Sequence, residues 1–136
     1  MRRTALRGLL AMLVAMVATT LGAALAQAGG VSLHLPGAAE PIPVTGVGVM
    51  TGVFSLVGVV IALAVRRWAA RPADRWVQVA VALTMVSLVP PLLTGAGLAT
   101  VVTLMALHLV AAAVMIPALA RSLAVQTPET VGAFRR

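Results

Sequence analysis

The chain has no cysteine, no tyrosine and no lysine among its 136 residues, and only 3% of it is aromatic. Without cysteine there is no disulfide framework, no thiolate metal site and no thiol nucleophile. Scarce aromatics leave almost nothing for nucleobases to stack on, so the formal charge of +7, carried by arginines in short clusters, excludes a nucleic-acid surface as the natural reading. Carboxylates are nearly absent too, with Glu40, Asp74 and Glu129 the only ones. No phosphate loop, catalytic triad, zinc motif or paired-carboxylate site occurs, and no enzyme, metal or cofactor is expected.

What the chain does have is apolar surface. Hydrophobic residues make up 61% and charged ones 10%, against roughly half and a quarter in soluble domains. A soluble chain of this length would leave much of that surface in water, where it would aggregate; lipid removes the conflict.

Charge positions then divide the chain. No Asp, Glu, Lys or Arg lies between Arg7 and Glu40, between Glu40 and Arg66, or between Arg75 and Arg121. A spanning helix needs about 20 apolar residues. The 25 residues from Pro41 to Val65 supply one crossing, and the 45 from Trp76 to Ala120 supply two, reversing at Pro90, Pro91, Gly95 and Gly97. The segments are continuously apolar rather than alternating, which specifies helices and not a barrel. The expectation is a single all-α domain over residues 1–136, an integral membrane bundle of four transmembrane helices at about 8–28, 44–65, 74–93 and 97–120. The Gly- and Pro-rich stretch 29–43 forms an external loop, 66–73 a cytoplasmic loop, and 121–136 a mobile cytoplasmic tail with Thr127, Pro128, Glu129, Arg135 and Arg136. Pro117 is a candidate kink, and Asp74 a candidate cap that also neutralises an arginine at the start of the third helix.

Arginine asymmetry orients the bundle, because positively charged flanks stay on the cytoplasmic side. Arg2, Arg3 and Arg7 precede the first helix, Arg66, Arg67, Arg71 and Arg75 follow the second, and Arg121, Arg135 and Arg136 follow the fourth. The other two loops have none, so both termini are expected on the cytoplasmic side of a bacterial plasma membrane. Trp68 and Trp76, with Arg66 and Arg67, read as interface anchors at the headgroup layer. The first segment has a rival reading: three arginines, an apolar run and Ala24-Leu25-Ala26 also fit a signal peptide, whose cleavage after Ala26 would leave a three-helix membrane protein. Against it stand the spanning length of the run and a small-residue stripe, Ala11, Ala15, Ala18, Gly22 and Ala26, suited to close packing.

Small and polar residues inside the spans are the remaining signals. Gly48 and Gly52 form a GxxxG pair; with Gly58, Ala15 and Gly22 they are read as helix-packing positions. His108 is the only ionisable side chain at depth, where such groups usually face the bundle interior. It is grouped with Thr84, Ser87, Thr51 and Ser55 as a candidate polar interior. The simpler role is packing through a hydrogen bond to a neighbouring hydroxyl; the sharper one is a proton carrier or ligand contact. Met105 and Met115 near His108 would suit Cu(I) or haem iron, although methionine at helical spacing usually fills core. His34 and Glu40 belong to the external loop.

Ile42-Pro43, Gly46, Thr51, Val57-Gly58-Val59-Val60, Arg66-Arg67, Pro72, Leu83-Thr84, Ser87, Pro90, Leu107-His108-Leu109 and Ala111-Ala112 together make a recurring pattern. It resembles a family of small actinobacterial four-helix membrane proteins, catalogued as a domain of unknown function. The likeness covers about residues 8 to 123. It implies a retained first helix and a special place for His108 and the Ile42-Pro43 segment, and it implies no activity.

The sequence therefore points to a structural or accessory membrane protein acting through helix contacts, with the lipid bilayer and either a second copy or a larger membrane protein as partners. The alternative is a small transporter or ligand carrier with a polar lumen around His108. Because the chain lacks cysteine, the topology is readable with single-cysteine variants and a membrane-impermeant maleimide. His34→Cys is expected to label on intact cells, and Ala5→Cys and Ala70→Cys only after lysis. Labelling of position 70 from outside would contradict the orientation, and a mature chain lacking position 5 would establish the cleaved alternative.

Overall fold

A computed structural model describes residues 1–125. The described chain is all-helical, with α1 at Arg2–Ala28, α2 at Val44–Trp68, α3 at Pro72–Ser87, α4 at Val89–Leu93 and α5 at Leu98–Ala124. Four of its segments are long and apolar enough to cross a membrane: α1, α2, α3 with α4 taken together over Pro72–Leu93, and α5. The expected tail positions Thr127, Pro128, Glu129, Arg135 and Arg136 lie outside the described residues.

The helices run further than charge gaps suggest. α1 begins at Arg2 rather than near residue 8, α2 continues through Arg66 and Arg67 to Trp68, and α5 passes Pro117 and Arg121 to end at Ala124. Arginine is a good helix former, so a charge marks where the apolar medium ends and not where the helix does. α3 starts at Pro72, where the ring's fixed φ suits a first turn. Asp74 lies in that turn without capping it: the N-cap is Arg71, no side-chain cap bond forms, and the carboxylate is left to favour the helix dipole. The third span is interrupted at Leu88, since Pro90 and Pro91 lack the N–H groups that would continue the ladder. Hydroxyls near the break bond to backbone within one turn: Ser87 donates to the Thr84 carbonyl at 2.7 Å and Thr94 to the Pro91 carbonyl at 2.8 Å.

α1 packs against both α2 and α5, α3 packs mainly on α5, and α5 touches every other helix. The buried residues of α1 are Thr4, Gly8, Ala11, Ala15, Thr19 and Ala23, one per turn and all small. Ala18, Gly22 and Ala26, expected on this stripe, flank it half-buried. The missing side chains are what the neighbours occupy. A Cβ on Gly8 would stand 2.8 Å from Val59 Cγ2 and 3.1 Å from Leu119 Cδ2. One on Gly52 would meet Met16 Sδ at 2.8 Å, one on Gly48 would overlap the Thr20 hydroxyl, and one on Gly22 would meet Leu107 Cδ2 at 2.9 Å. Gly58 faces Trp76 at ordinary contact distance.

On α1 and α2 most large apolar side chains lie on the side away from these contacts. Leu10, Val14, Val17 and Leu21 of α1, Phe54 of α2 at 71% exposure and Leu109 of α5 all point outward. The small buried face of α1 and the many large apolar residues left exposed invert the soluble pattern, and the arrangement is compatible with a multi-pass protein whose surface meets lipid.

Two apolar clusters fill the interior. The larger joins Ala11, Ala15, Val59, Ala62, Trp76, Ala80, Met115, Leu119 and Leu123. The smaller sits at the opposite end, where Leu33 of the 29–43 loop inserts against Ala23 and Leu107. Leu33 is fully buried and held at φ 49°, a left-handed conformation that a leucine rarely adopts. Its carbonyl accepts from the Ile42 amide at 3.0 Å, and Gln27 Nε2 donates to the Ile42 carbonyl at 3.3 Å. The loop is thus folded back as a plug.

Contact between α1 and α2 at glycine is directly testable. Gly48→Val is expected to lower stability by about 1–3 kcal/mol through overpacking, and Val53→Ala on the exposed face of the same helix by much less. Thermal unfolding in detergent micelles reads both; equal midpoints would show that the two helices do not approach closely.

Candidate functional site

The polar side chains within the spans do not converge. The Thr19 hydroxyl lies 2.9 Å from the Ala15 carbonyl of its own helix and 2.9 Å from the Thr51 hydroxyl, so Thr51 is engaged at the α1–α2 interface. Ser55 is buried one turn further along α2. Thr84 donates to the Ala80 carbonyl at 2.8 Å, and Ser87 to Thr84; both are turned onto their own backbone. Helix geometry explains this economy, because a Ser or Thr hydroxyl reaches the carbonyl one turn back without needing any partner.

His108 is not interior. The imidazole is on the outward face of α5, and its Nδ1 lies 2.7 Å from the Leu104 carbonyl. A carbonyl only accepts, so Nδ1 carries the proton in that bond, and Nε2 points away from the backbone as the remaining polar atom. No hydrogen bond to Nε2 is present among the described residues. Ten residues after Leu98 at 1.5 Å each, the ring sits about 15 Å into a helix of 27 residues, close to its middle. Met105 is half-buried and Met115 buried in the main core, so the two sulfurs and the outward imidazole do not share one site. No group of three or more His, Cys, Asp or Glu residues with metal-binding proximity occurs among the described residues.

The basic end is differentiated. Arg66 is half-buried, and its Nη1 donates to the hydroxyl of Thr4, which is fully buried, at 2.7 Å, tying α2 to the first turn of α1. Arg67 is exposed, and Trp68 is 80% exposed with its ring projecting outward. Trp76 departs from the anchor role expected of it. It is buried between α3 and α5, and its Nε1 donates to the Ile116 carbonyl at 3.1 Å. The indole fills volume beside Gly58, and its N–H is satisfied by that carbonyl.

Thr4, Thr19 and Leu33 escape a composition-based reading. Thr4 and Thr19 lie on the same turn-by-turn register as Gly8, Ala11 and Ala15, and that spacing was the available signal. Ser122, fully buried near the end of α5, has a hydroxyl with no hydrogen-bond partner among the described residues. His34 and Glu40 are exposed on the 29–43 loop.

Comparison with known proteins gives one match. A family model described as a family of unknown function, DUF6069, covers residues 1–125. No curated protein and no solved structure matches the chain.

Proposed function

The chain belongs to the DUF6069 family of unknown function, and from that premise we propose that it is an accessory protein of the bacterial plasma membrane that works through helix contacts made by its outward surface. The observation that carries this is His108. An imidazole nitrogen facing hydrocarbon near mid-depth costs about 1–3 kcal/mol when unpaired, and a donor on a partner helix removes that cost. Ala111 and Ala112, one turn further along and half-buried, keep the surface beside the ring low enough for another helix to approach.

Several features support the remaining parts of the reading. The N-terminal arginines, Arg66 and Arg121 belong to one end of the bundle, since Arg66 bonds Thr4 and Arg7 shares a groove with Arg121. The turn at Gly95 and the 29–43 loop lie at the other end, where Pro36 approaches Gly95, and they carry no arginine. By the positive-inside rule both termini then face the cytoplasm. Retention of α1 is supported by its packing: removing residues 1–26 would strip α2 and α5 of the helix that each packs against most. A carrier with a polar lumen draws no support from hydroxyls turned onto backbone and an imidazole turned outward.

A photo-crosslinking residue at position 112, introduced into the full chain in native membranes, is expected to trap a species of defined mass. His108→Leu is expected to reduce that product about threefold or more, the scale of one hydrogen bond between membrane helices, while the thermal midpoint of the purified protein stays unchanged. Unchanged crosslinking would remove His108 from any interface, and a lowered midpoint would return it to packing.

A further inference from the structure

At the basic end, residues of α1 and α5 line an open groove. Its floor is the buried Ala11, its apolar walls are Leu10 and Val14 from α1 and Val114 and Ala118 from α5, and Arg7 and Arg121 complete the lining. The two arginines come from different helices and line the same groove. Both are exposed, and among the described residues neither makes an ion pair or a hydrogen bond. The described acids, Glu40 and Asp74, are not among the groove's lining residues.

We propose that this groove is a binding site for one anionic membrane phospholipid, with the phosphodiester held between Arg7 and Arg121 and an acyl chain laid along Leu10, Val14, Val114 and Ala118. Charge complementarity selects the headgroup. Guanidinium presents forked donors that match phosphate oxygens, and two of them without a competing carboxylate favour an anion. The apolar walls select the source of that anion, because a free phosphate gains nothing from branched apolar side chains running down the groove, whereas an acyl chain attached to the phosphate packs against them. A partner helix fits less well, since it would have to bring an acidic residue to the same depth as the two arginines. Basic pockets between transmembrane helices are suited to anionic headgroups on these grounds. The inference rests on the bundle lying in a bilayer with this end at headgroup level, and it is independent of what His108 contacts.

The test uses the full-length protein reconstituted in bilayer discs of phosphatidylcholine with one quarter phosphatidylglycerol, and reads lipid retained after detergent release by native mass spectrometry. Wild-type protein is expected to keep one phosphatidylglycerol in preference to phosphatidylcholine. Arg7→Gln and Arg121→Gln are each expected to lower that retention about fivefold, the scale of one arginine at a lipid surface, and Arg3→Gln to leave it unchanged. Val14→Trp, which fills the groove and leaves the charge intact, is expected to lower retention as well, and it keeps the test decisive if an arginine variant folds poorly. Equal retention by wild type and both arginine variants would overturn the site. So would an equal loss in Arg3→Gln, which would show diffuse attraction only, or full displacement of the lipid by millimolar inorganic phosphate, which would show a free-anion site. Failure of the bilayer premise is distinguishable, because the protein would then not enter the discs.

Discussion

Close approach of α1 to its two neighbours is the constraint on which the rest of the bundle depends. Between helices in hydrocarbon there is no hydrophobic driving force, since lipid tails are as apolar as leucine, and association rests on van der Waals contact and a few hydrogen bonds. Contact of that kind needs backbones near one another. The turn-by-turn series Thr4, Gly8, Ala11, Ala15, Thr19 and Ala23 provides a flat face, and Gly48 and Gly52 provide the matching one on α2. Val59, Leu107 and Leu119 then occupy the space that α1 leaves open.

The same closeness decides where polarity goes. In an interior filled by small residues and their apolar neighbours, hydroxyls bond across a single interface, as Thr19 and Thr51 do, or return to their own helix, as Thr84 and Ser87 do. Trp76 reaches the Ile116 carbonyl, and Arg66 reaches Thr4 at the rim. Chemistry left over after the interior is satisfied is on the outside: the imidazole of His108 partway along α5, and the guanidinium groups of Arg7 and Arg121 over an apolar groove. Both features address the surroundings of the bundle and not a cavity within it.

Much of the fold was legible in the residues and little of the site was. Uncharged runs bounded by arginines marked four spans because charge is expensive in hydrocarbon regardless of tertiary detail. Facing is another matter. On a helix surrounded by lipid both faces are apolar, so hydrophobic periodicity says nothing about which side is inside, and only residue size does. Ala15, Gly48 and Gly52 could therefore be placed, whereas His108 was assigned inward on a cost argument that its bond to the Leu104 carbonyl partly relieves. The arginines around Trp76 point to the headgroup layer, whereas the space beside Gly58 and a bond to the Ile116 carbonyl hold the ring inside. Leu33 could not be foreseen at all, because its burial depends on a left-handed backbone turn among glycines and prolines.

The central claim is that α1 lies in lipid with its small-residue face against protein and its large apolar face against acyl chains. Nitroxide labels placed one at a time over positions 11–21, in bilayers, read this through their accessibility to oxygen. Accessibility is predicted to oscillate with the helical period, low at Ala15 and Thr19 and high at Val14, Val17 and Leu21, with no access for a water-soluble relaxant. Uniformly high oxygen accessibility along α1, or access of the aqueous reagent at its middle, would contradict it.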